Sequence, residues 1–441
     1  MTLPGTLLRS GLARHVLTNS TARVVAMVGL ALATVLVARV GGPSAVGVYA
    51  LMRILPGLVG VLCVGGLPGA LAYFLAAPRR DTPHLWPSLL AIAVAGAATG
   101  TLAWCLAAPL LRQLFFPGDT VAVVAVAGAT VATQLFLTVS KTALQGLEDR
   151  RGGDLVIALE EVSFLPCYGL ALLGGSHGTL AIVLGLALAD LVVGVEGWRR
   201  VVRSIRSHNV VGRHRPFRGR PDRRLVREVV TYGTRGQVGG LVSLLNLRLD
   251  FAILGALAGP AVLGTYAVAS KYAELLRLPG TALTWVAYPE LARSDAVDAA
   301  RRTRRLLRPA LLSVWGAAVP MLVLTGPVVQ LLYGRQFSSA VPQARVLLVG
   351  MLIGGGAGLA SGYLYGRGRP GLNSLGLGIG LALTVILDIT LIPHHGAMGA
   401  AIASTVAYLV ADSSLVLMLL RTSRSDLSVA DPVAAPVEAT P

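Results

Sequence analysis

The chain has 441 residues, 54% of them hydrophobic and only 13% charged, with 52 glycines and a net charge of +17; its mean hydropathy is +0.70. Soluble domains carry about a quarter charged residues, so this composition excludes a water-soluble globular protein and suits a series of membrane spans of roughly 20 residues each. The basic excess needs no nucleic-acid partner, because cytoplasmic loops of membrane proteins collect Lys and Arg.

Apolar runs predict an all-α polytopic protein with about twelve transmembrane helices, near 16–38, 48–76, 88–111, 121–146, 155–174, 179–198, 229–257, 262–289, 307–333, 343–366, 371–393 and 397–420. The first run follows Arg9, Arg14 and Arg23 and has the flanks of a secretory signal, but eleven further spans favour an uncleaved first span. With the N-terminus inside, the inner segments hold 27 basic residues, and the outer ones hold Arg39, Arg112, Arg335 and Arg345. That asymmetry predicts a multi-pass protein of the cell membrane with both termini in the cytoplasm. Eleven arginines between Arg199 and Arg227 read as an orientation signal and a linker near lipid headgroups. The linker divides an N-terminal lobe (1–212, helices 1–6) from a C-terminal lobe (213–424, helices 7–12). A tail at 425–441 lacks apolar periodicity and reads as disordered. Cys63, Cys105 and Cys167 sit in apolar runs without paired or metal-type spacing and read as small core residues.

The two halves repeat. Gly42-Pro43-Ser44-Ala45-Val46-Gly47-Val48-Tyr49-Ala50 matches Gly259-Pro260-Ala261-Val262-Leu263-Gly264-Thr265-Tyr266-Ala267 at an offset of 217, and His177-Gly178 matches His395-Gly396 at 218. Six spans per half give both halves the same orientation, hence two parallel-repeat six-helix lobes expected around a central cavity. Leu55-Pro56-Gly57, Leu67-Pro68-Gly69 and Leu278-Pro279-Gly280 fall in the second helix of each half, where each proline is expected to kink its span.

An ionisable residue at the bilayer centre costs roughly 2.5–3.5 kcal/mol and normally faces protein, water or ligand. The first hairpin of each half carries Arg23, Arg53, Arg235, Arg248, Lys271 and Arg277 against Asp250 and Glu274, whereas the other spans hold Lys141 against Glu160, Glu161, Asp190, Asp388 and Asp412. Six basic groups left unpaired would cost on the order of 15–20 kcal/mol, more than a marginally stable fold tolerates. Water and an anionic substrate are the expected compensation. Arginine's planar fork favours phosphate oxygens over a carboxylate, so these six are the candidate substrate-binding residues, with Arg53 and Arg248 foremost. Asp250 points elsewhere on its helix from Arg248 and is free to pair across helices or take a proton. Lys271, Glu274 and Arg277 have the spacing of a structural ladder. Asp250 and Glu274 are the candidates for ion coupling.

No cofactor or metal site is expected. His394-His395 lies in a short outer loop without a neighbouring acidic residue or cysteine, and Gly366-Arg367-Gly368-Arg369 follows no strand and forms no phosphate loop. Gly146-Leu147-Glu148-Asp149-Arg150-Arg151-Gly152 lies in the wrong loop for a major facilitator motif. Outer loops shorter than about ten residues disfavour an enzyme such as a polymerase or ligase of surface polysaccharides.

Arg39-Val40-Gly41-Gly42, Gly47-Val48-Tyr49-Ala50, Gly65-Gly66-Leu67 and Ala70-Leu71-Ala72-Tyr73 are similar to the first two helices of a known family. Tyr266-Ala267-Val268-Ala269-Ser270-Lys271-Tyr272 leading to Tyr288-Pro289-Glu290-Leu291-Ala292 resembles its eighth helix. Leu391-Ile392-Pro393, Gly396 and Gly399-Ala400-Ala401-Ile402-Ala403 resemble its helix 11–12 junction. The family is the multidrug/oligosaccharidyl-lipid/polysaccharide (MOP) exporter superfamily, in its polysaccharide transporter or oligosaccharide flippase branch. The resemblance implies alternating access that moves a polyprenyl-diphosphate-linked glycan from the inner to the outer leaflet. It also implies cavity arginines in the first, second and eighth helices, which Arg23, Arg53 and Arg277 or Lys271 match by helix. Partners would be the lipid-linked glycan, membrane lipids and a glycan polymerase or glycosyltransferases. The competing readings are a cation-coupled multidrug antiporter of the same superfamily, which predicts a mainly acidic cavity, and a non-transporting scaffold of an envelope assembly complex, which predicts internally paired arginines.

Overall fold

A backbone inside lipid must satisfy its own hydrogen bonds, so long apolar runs become helices. The computed structural model describes residues 5–76, 84–207, 217 and 219–428, and no strand occurs among them. In chain order they form α1 (Gly5–Cys63), α2 (Leu67–Leu75), α3 (Leu85–Phe115), α4 (Val121–Val126), α5 (Ala129–Gly146), α6 (Arg150–Val162) and α7 (Phe164–Leu173). There follow α8 (Gly178–Ser207), α9 (Arg223–Glu274), α10 (Arg277–Arg293), α11 (Ala296–Tyr333), α12 (Ala340–Gly350), α13 (Gly354–Gly366) and α14 (Pro370–Ser428). Among the described residues eight stretches are long and apolar enough to cross a membrane, nine when α12 and α13, bent by 44°, are taken as one span. Three of the nine, in α1, α9 and α14, are each two helices joined at a glycine with non-helical dihedrals. With α9 counted from Arg223, twelve helical crossings result among the described residues, the number the apolar runs predict.

Those glycines are the anchors of the sequence repeat. Gly42 (φ 69°, ψ −164°) and Gly259 (φ 81°, ψ 171°) form the pair at offset 217, and Gly178 (φ 58°) and Gly396 (φ 53°) the pair at 218. The region occupied by Gly42 and Gly259 is open essentially to glycine alone, and another residue there is strained by about 1–3 kcal/mol. The repeat is therefore legible where the chain must turn between consecutive spans.

The prolines act differently from the kinks expected of them. Pro56 lies inside α1, whose only non-helical residue is Gly42. Pro68 and Pro279 fall in the first turns of α2 and α10, where a missing N–H costs nothing. The second and eighth spans are interrupted just upstream, at Val64–Gly66 and Leu275–Leu276.

The chain divides into two compact units, Met1–Leu241 with Gly259–Ala261, and Val242–Ala258 with Val262–Pro441. The repeat halves at 1–212 and 213–424 join upstream of this packing boundary, because the front of α9 packs with the first unit. There α5 lies against α2, α3 and α8, and α6 against α1, around Leu71, Phe74, Trp86, Leu135, Leu144 and the α9 residue Val229. A Cβ on Gly233 of α9 would lie 2.6 Å from the Gly65 carbonyl oxygen, so the two backbones meet only because glycine stands there. In the second unit α13 packs on α10, α11 and α14, around Tyr363, Leu364, Leu415 and Leu419.

Leu106, Leu173 and Leu331 are 75–86% exposed, an arrangement that water penalises and lipid does not. The same physics corrects the cysteine reading. Cys167 is buried, but Cys63 and Cys105 are exposed, because in a bilayer an apolar run has a lipid face as well as a core face. The tail also departs from expectation at its start: α14 continues to Ser428, held by Asp426, which accepts a hydrogen bond from the Tyr363 hydroxyl at 2.5 Å and lies 3.8 Å from Arg367 and 3.6 Å from Arg369. The remainder of the tail lies outside the described residues.

Candidate functional site

Each unit carries a polar cluster within its spans. In the first, Tyr49 and Arg53 lie one turn apart on α1 after the Gly42 break, so both reach the same neighbour. Arg53 places Nη1 2.7 Å and Nη2 2.6 Å from the two carboxylate oxygens of Glu161 on α6, a bidentate pair. Its Nη1 also donates to the Tyr49 hydroxyl at 3.3 Å, and its Cζ sits 5.7 Å from that ring's centroid. In the same unit Lys141 of α5 pairs with Glu160 at 2.7 Å, Thr133 donates to Asp190 of α8 at 3.2 Å, and Gln134 donates to the Met52 carbonyl at 3.0 Å. The side chains of Arg53 and Glu161 keep 26% and 15% exposure, so the pair is covered but reachable.

The second cluster is built on α9, α10 and α14. Glu274 is the counter-charge of two cations, Lys271 at 2.8 Å and Arg248 at 3.6 Å. The Arg248 guanidinium also lies 5.6 Å from the Phe251 ring centroid. Asp250, 3% exposed, accepts from the Tyr266 hydroxyl at 2.6 Å and from the Phe251 amide at 2.9 Å. Tyr266 in turn meets the Ser404 hydroxyl of α14 at 2.9 Å. Asp388, also on α14, is fully buried, and neither of its oxygens has a hydrogen-bond partner among the described residues. Arg277 stands 5.2 Å over the Tyr408 ring.

These positions correct several sequence readings. Arg53 is not an uncompensated cation of its hairpin, because the fifth span supplies Glu161. Arg248 is paired as well. Of the Lys271–Glu274–Arg277 ladder the first rung forms, whereas the break at Leu275–Leu276 puts Arg277 on α10, over the Tyr408 ring and without an ion-pair partner among the described residues. Asp250, expected to pair across helices or take a proton, is engaged by Tyr266 of the repeat segment that follows the Gly259 break, in line with the first of those alternatives. Arg23 belongs to neither cluster: it is exposed, and its Nε donates to Asn19 at 3.0 Å, while Asn19 donates to Asp154 of α6 at 2.5 Å. Arg235 lies on the exposed front of α9, also outside both. The residues the sequence reading undervalued are Glu161, Asp388, Tyr408 and Ser404. The carboxylates carried a usable signal, since a buried charge requires a partner from another helix.

The family model described as "Polysaccharide biosynthesis protein" matches residues 36–342, more than half of the chain. A protein of Haloferax volcanii described as "Probable flippase AglR" is 26% identical over 245 residues, 54% of this chain and 48% of its own. One of Rhizobium meliloti described as "Probable lipid II flippase MurJ" is 29% identical over 196 residues, 41% of this chain and 36% of its own. The chain thus spans less than half the length of these curated relatives. A solved structure described as "Lipid II flippase MurJ, inward closed conformation" superposes with a TM-score of 0.73 at 13% identity, covering 93% of this chain and 90% of that one, and shows a shared fold.

Proposed function

Because the chain belongs to the polysaccharide biosynthesis protein family, within the MOP exporter superfamily, we propose that it is a flippase moving a polyprenyl-diphosphate-linked oligosaccharide or polysaccharide unit from the inner to the outer leaflet by alternating access. Pairing of Arg53 is also what the scaffold reading predicts, so the observation that carries this reading, beside the family, is the bidentate form of the Arg53–Glu161 pair. A guanidinium that presents two parallel donors to a carboxylate presents the same two to a phosphate, so a diphosphate can take the place of Glu161 without rebuilding the site. In the second unit Arg248 and Lys271 share the one carboxylate Glu274 and Arg277 stands over the Tyr408 ring, so the guanidinium groups there keep donors for a phosphate. Arg23 and Arg235, outside the clusters, serve the same phosphate on its way. A diphosphate carrying about two negative charges gains roughly 4–5 kcal/mol on moving outward across 100 mV, negative inside, so the potential favours export.

Coupling is assigned to Asp250 and Asp388, with Glu274 acting as a counter-charge. A fully buried carboxylate without a partner has to be compensated by a proton or cation brought to it, and Asp388 is such a group. The protein supplies no covalent chemistry in this scheme: glycosyltransferases build the cargo and a polymerase or ligase takes it up outside.

The orientation is proposed with both termini in the cytoplasm of the cell membrane. Cysteines introduced at Ser176 and Ser338 should then react with a membrane-impermeant thiol reagent in intact cells, and one at Ser207 should not; labelling at Ser207 overturns the orientation. The function itself is tested by depletion of the protein, after which the lipid-linked glycan should accumulate in the inner leaflet, protected from externally added glycan-modifying enzyme. Normal exposure of the glycan outside would contradict the proposal.

A further inference from the structure

From the cleft between α2 and the front of α9 we infer a second phosphate-binding site, a loading station that captures the diphosphate headgroup of the lipid carrier before it reaches the interior clusters. The inference rests on the flippase reading above. The cleft measures about 900 Å³ and is lined by Gly69 of α2 and by Arg224, Arg227, Thr231, Tyr232 and Arg235 of α9, with Glu228 among them. The α9 residues follow at i, i+3, i+7, i+8 and i+11, so they share one helix face, and the arginines span about 16 Å along the axis. All three arginines are exposed, and their guanidinium groups have no ion-pair or hydrogen-bond partner among the described residues.

The cleft is shaped as well as charged. Tyr232 is stacked on Tyr73 of α2 with ring centroids 4.3 Å apart and planes at 12°, which fixes one wall. A Cβ on Gly69 or on Gly236 would meet nothing within 4 Å, so the opening exists because side chains are missing there. A positive-inside signal needs only net charge in a loop. Here the arginines are instead arrayed on a folded helix in a concave, aromatic-walled groove that climbs toward the span. Three guanidinium groups against one carboxylate suit a ligand with two phosphates, whose oxygens each accept a planar fork.

The test uses the full chain in phosphatidylcholine nanodiscs and a short-chain polyprenyl diphosphate without glycan as the labelled probe. Inorganic pyrophosphate and phosphatidylglycerol serve as competitors. Loss of one or two charge-assisted hydrogen bonds predicts that R224Q/R227Q weakens probe binding by about tenfold or more. G69F should produce a comparable loss by filling the cleft without altering charge, with helix content and melting temperature retained for both variants. Competition by pyrophosphate supports recognition of the diphosphate itself. Wild-type affinity in both variants overturns the site, and equal competition by phosphatidylglycerol overturns the loading role in favour of ordinary lipid binding. Probe binding at the cleft by a protein that transports no lipid-linked glycan would sink the flippase reading and leave the cleft. Unaltered transport by the cleft variants would remove the loading role and leave the flippase.

Discussion

Glu161→Gln should tighten diphosphate binding at the fork while Arg53→Ala weakens it, although the two residues are partners in one ion pair. The amide keeps the shape of the carboxylate and one acceptor for the guanidinium, but a phosphate no longer has to displace a charge. Affinity should therefore rise by roughly tenfold in E161Q and fall by about 10- to 150-fold in R53A, the range of a hydrogen bond to a charged group. Arg53→Lys should recover only part of the loss, since it keeps the charge and loses the fork. R53A loses stability because it leaves the Glu161 carboxylate without its partner; with 26% and 15% exposure the cost is about 1–3 kcal/mol, below the range for fully buried pairs, and E161Q, which keeps an acceptor for the guanidinium, loses less. Equilibrium binding and thermal melting of the two singles and of R53A/E161A separate the roles. If the double variant regains both stability and full transport, the pair is a structural clasp and the scaffold reading gains.

Asp388→Asn should uncouple transport from the cation or proton gradient without loss of folded protein. The carboxyl is enclosed and has no hydrogen-bond partner among the described residues. An amide of the same size removes the need for a compensating ion and leaves the packing intact, so melting should be unchanged or higher. Typical coupling free energies of 1–3 kcal/mol correspond to about 5- to 150-fold, and the gradient-driven part of transport should fall within that range while the potential-driven part remains. Proteoliposomes with imposed sodium or pH gradients provide the measurement. Gradient dependence that survives in D388N would remove Asp388 from the coupling scheme.

The fold was legible because its two determinants are local. Apolar runs identify spans through the backbone's need for internal hydrogen bonds, and the repeat stands out because Gly42, Gly259, Gly178 and Gly396 occupy dihedrals that other residues resist. Membership in the superfamily was readable from the same glycine and small-residue patterns. The sites were legible only in part. Arg53 and Arg248 could be found as charges in the wrong solvent, but their partners are set by how helices pack, and Glu161 lies 108 residues from Arg53. Counting charges hairpin by hairpin assigned Glu161 and Asp388 to spans apart from the arginines. Proline was misleading for a related reason: in Pro68 and Pro279 it marks where a helix begins, and the interruption itself lies in the residues before it.

The central claim is that the cargo is recognised by its diphosphate and carried across the bilayer. Purified full-length protein in proteoliposomes, given a lipid-linked oligosaccharide in one leaflet, tests it most directly. The account predicts protein-dependent appearance of the glycan in the opposite leaflet, faster when the potential drives the anion in that direction, and much slower for a neutral glycolipid of the same sugar and chain length. Equal movement of the neutral glycolipid, or no movement of either, would contradict it.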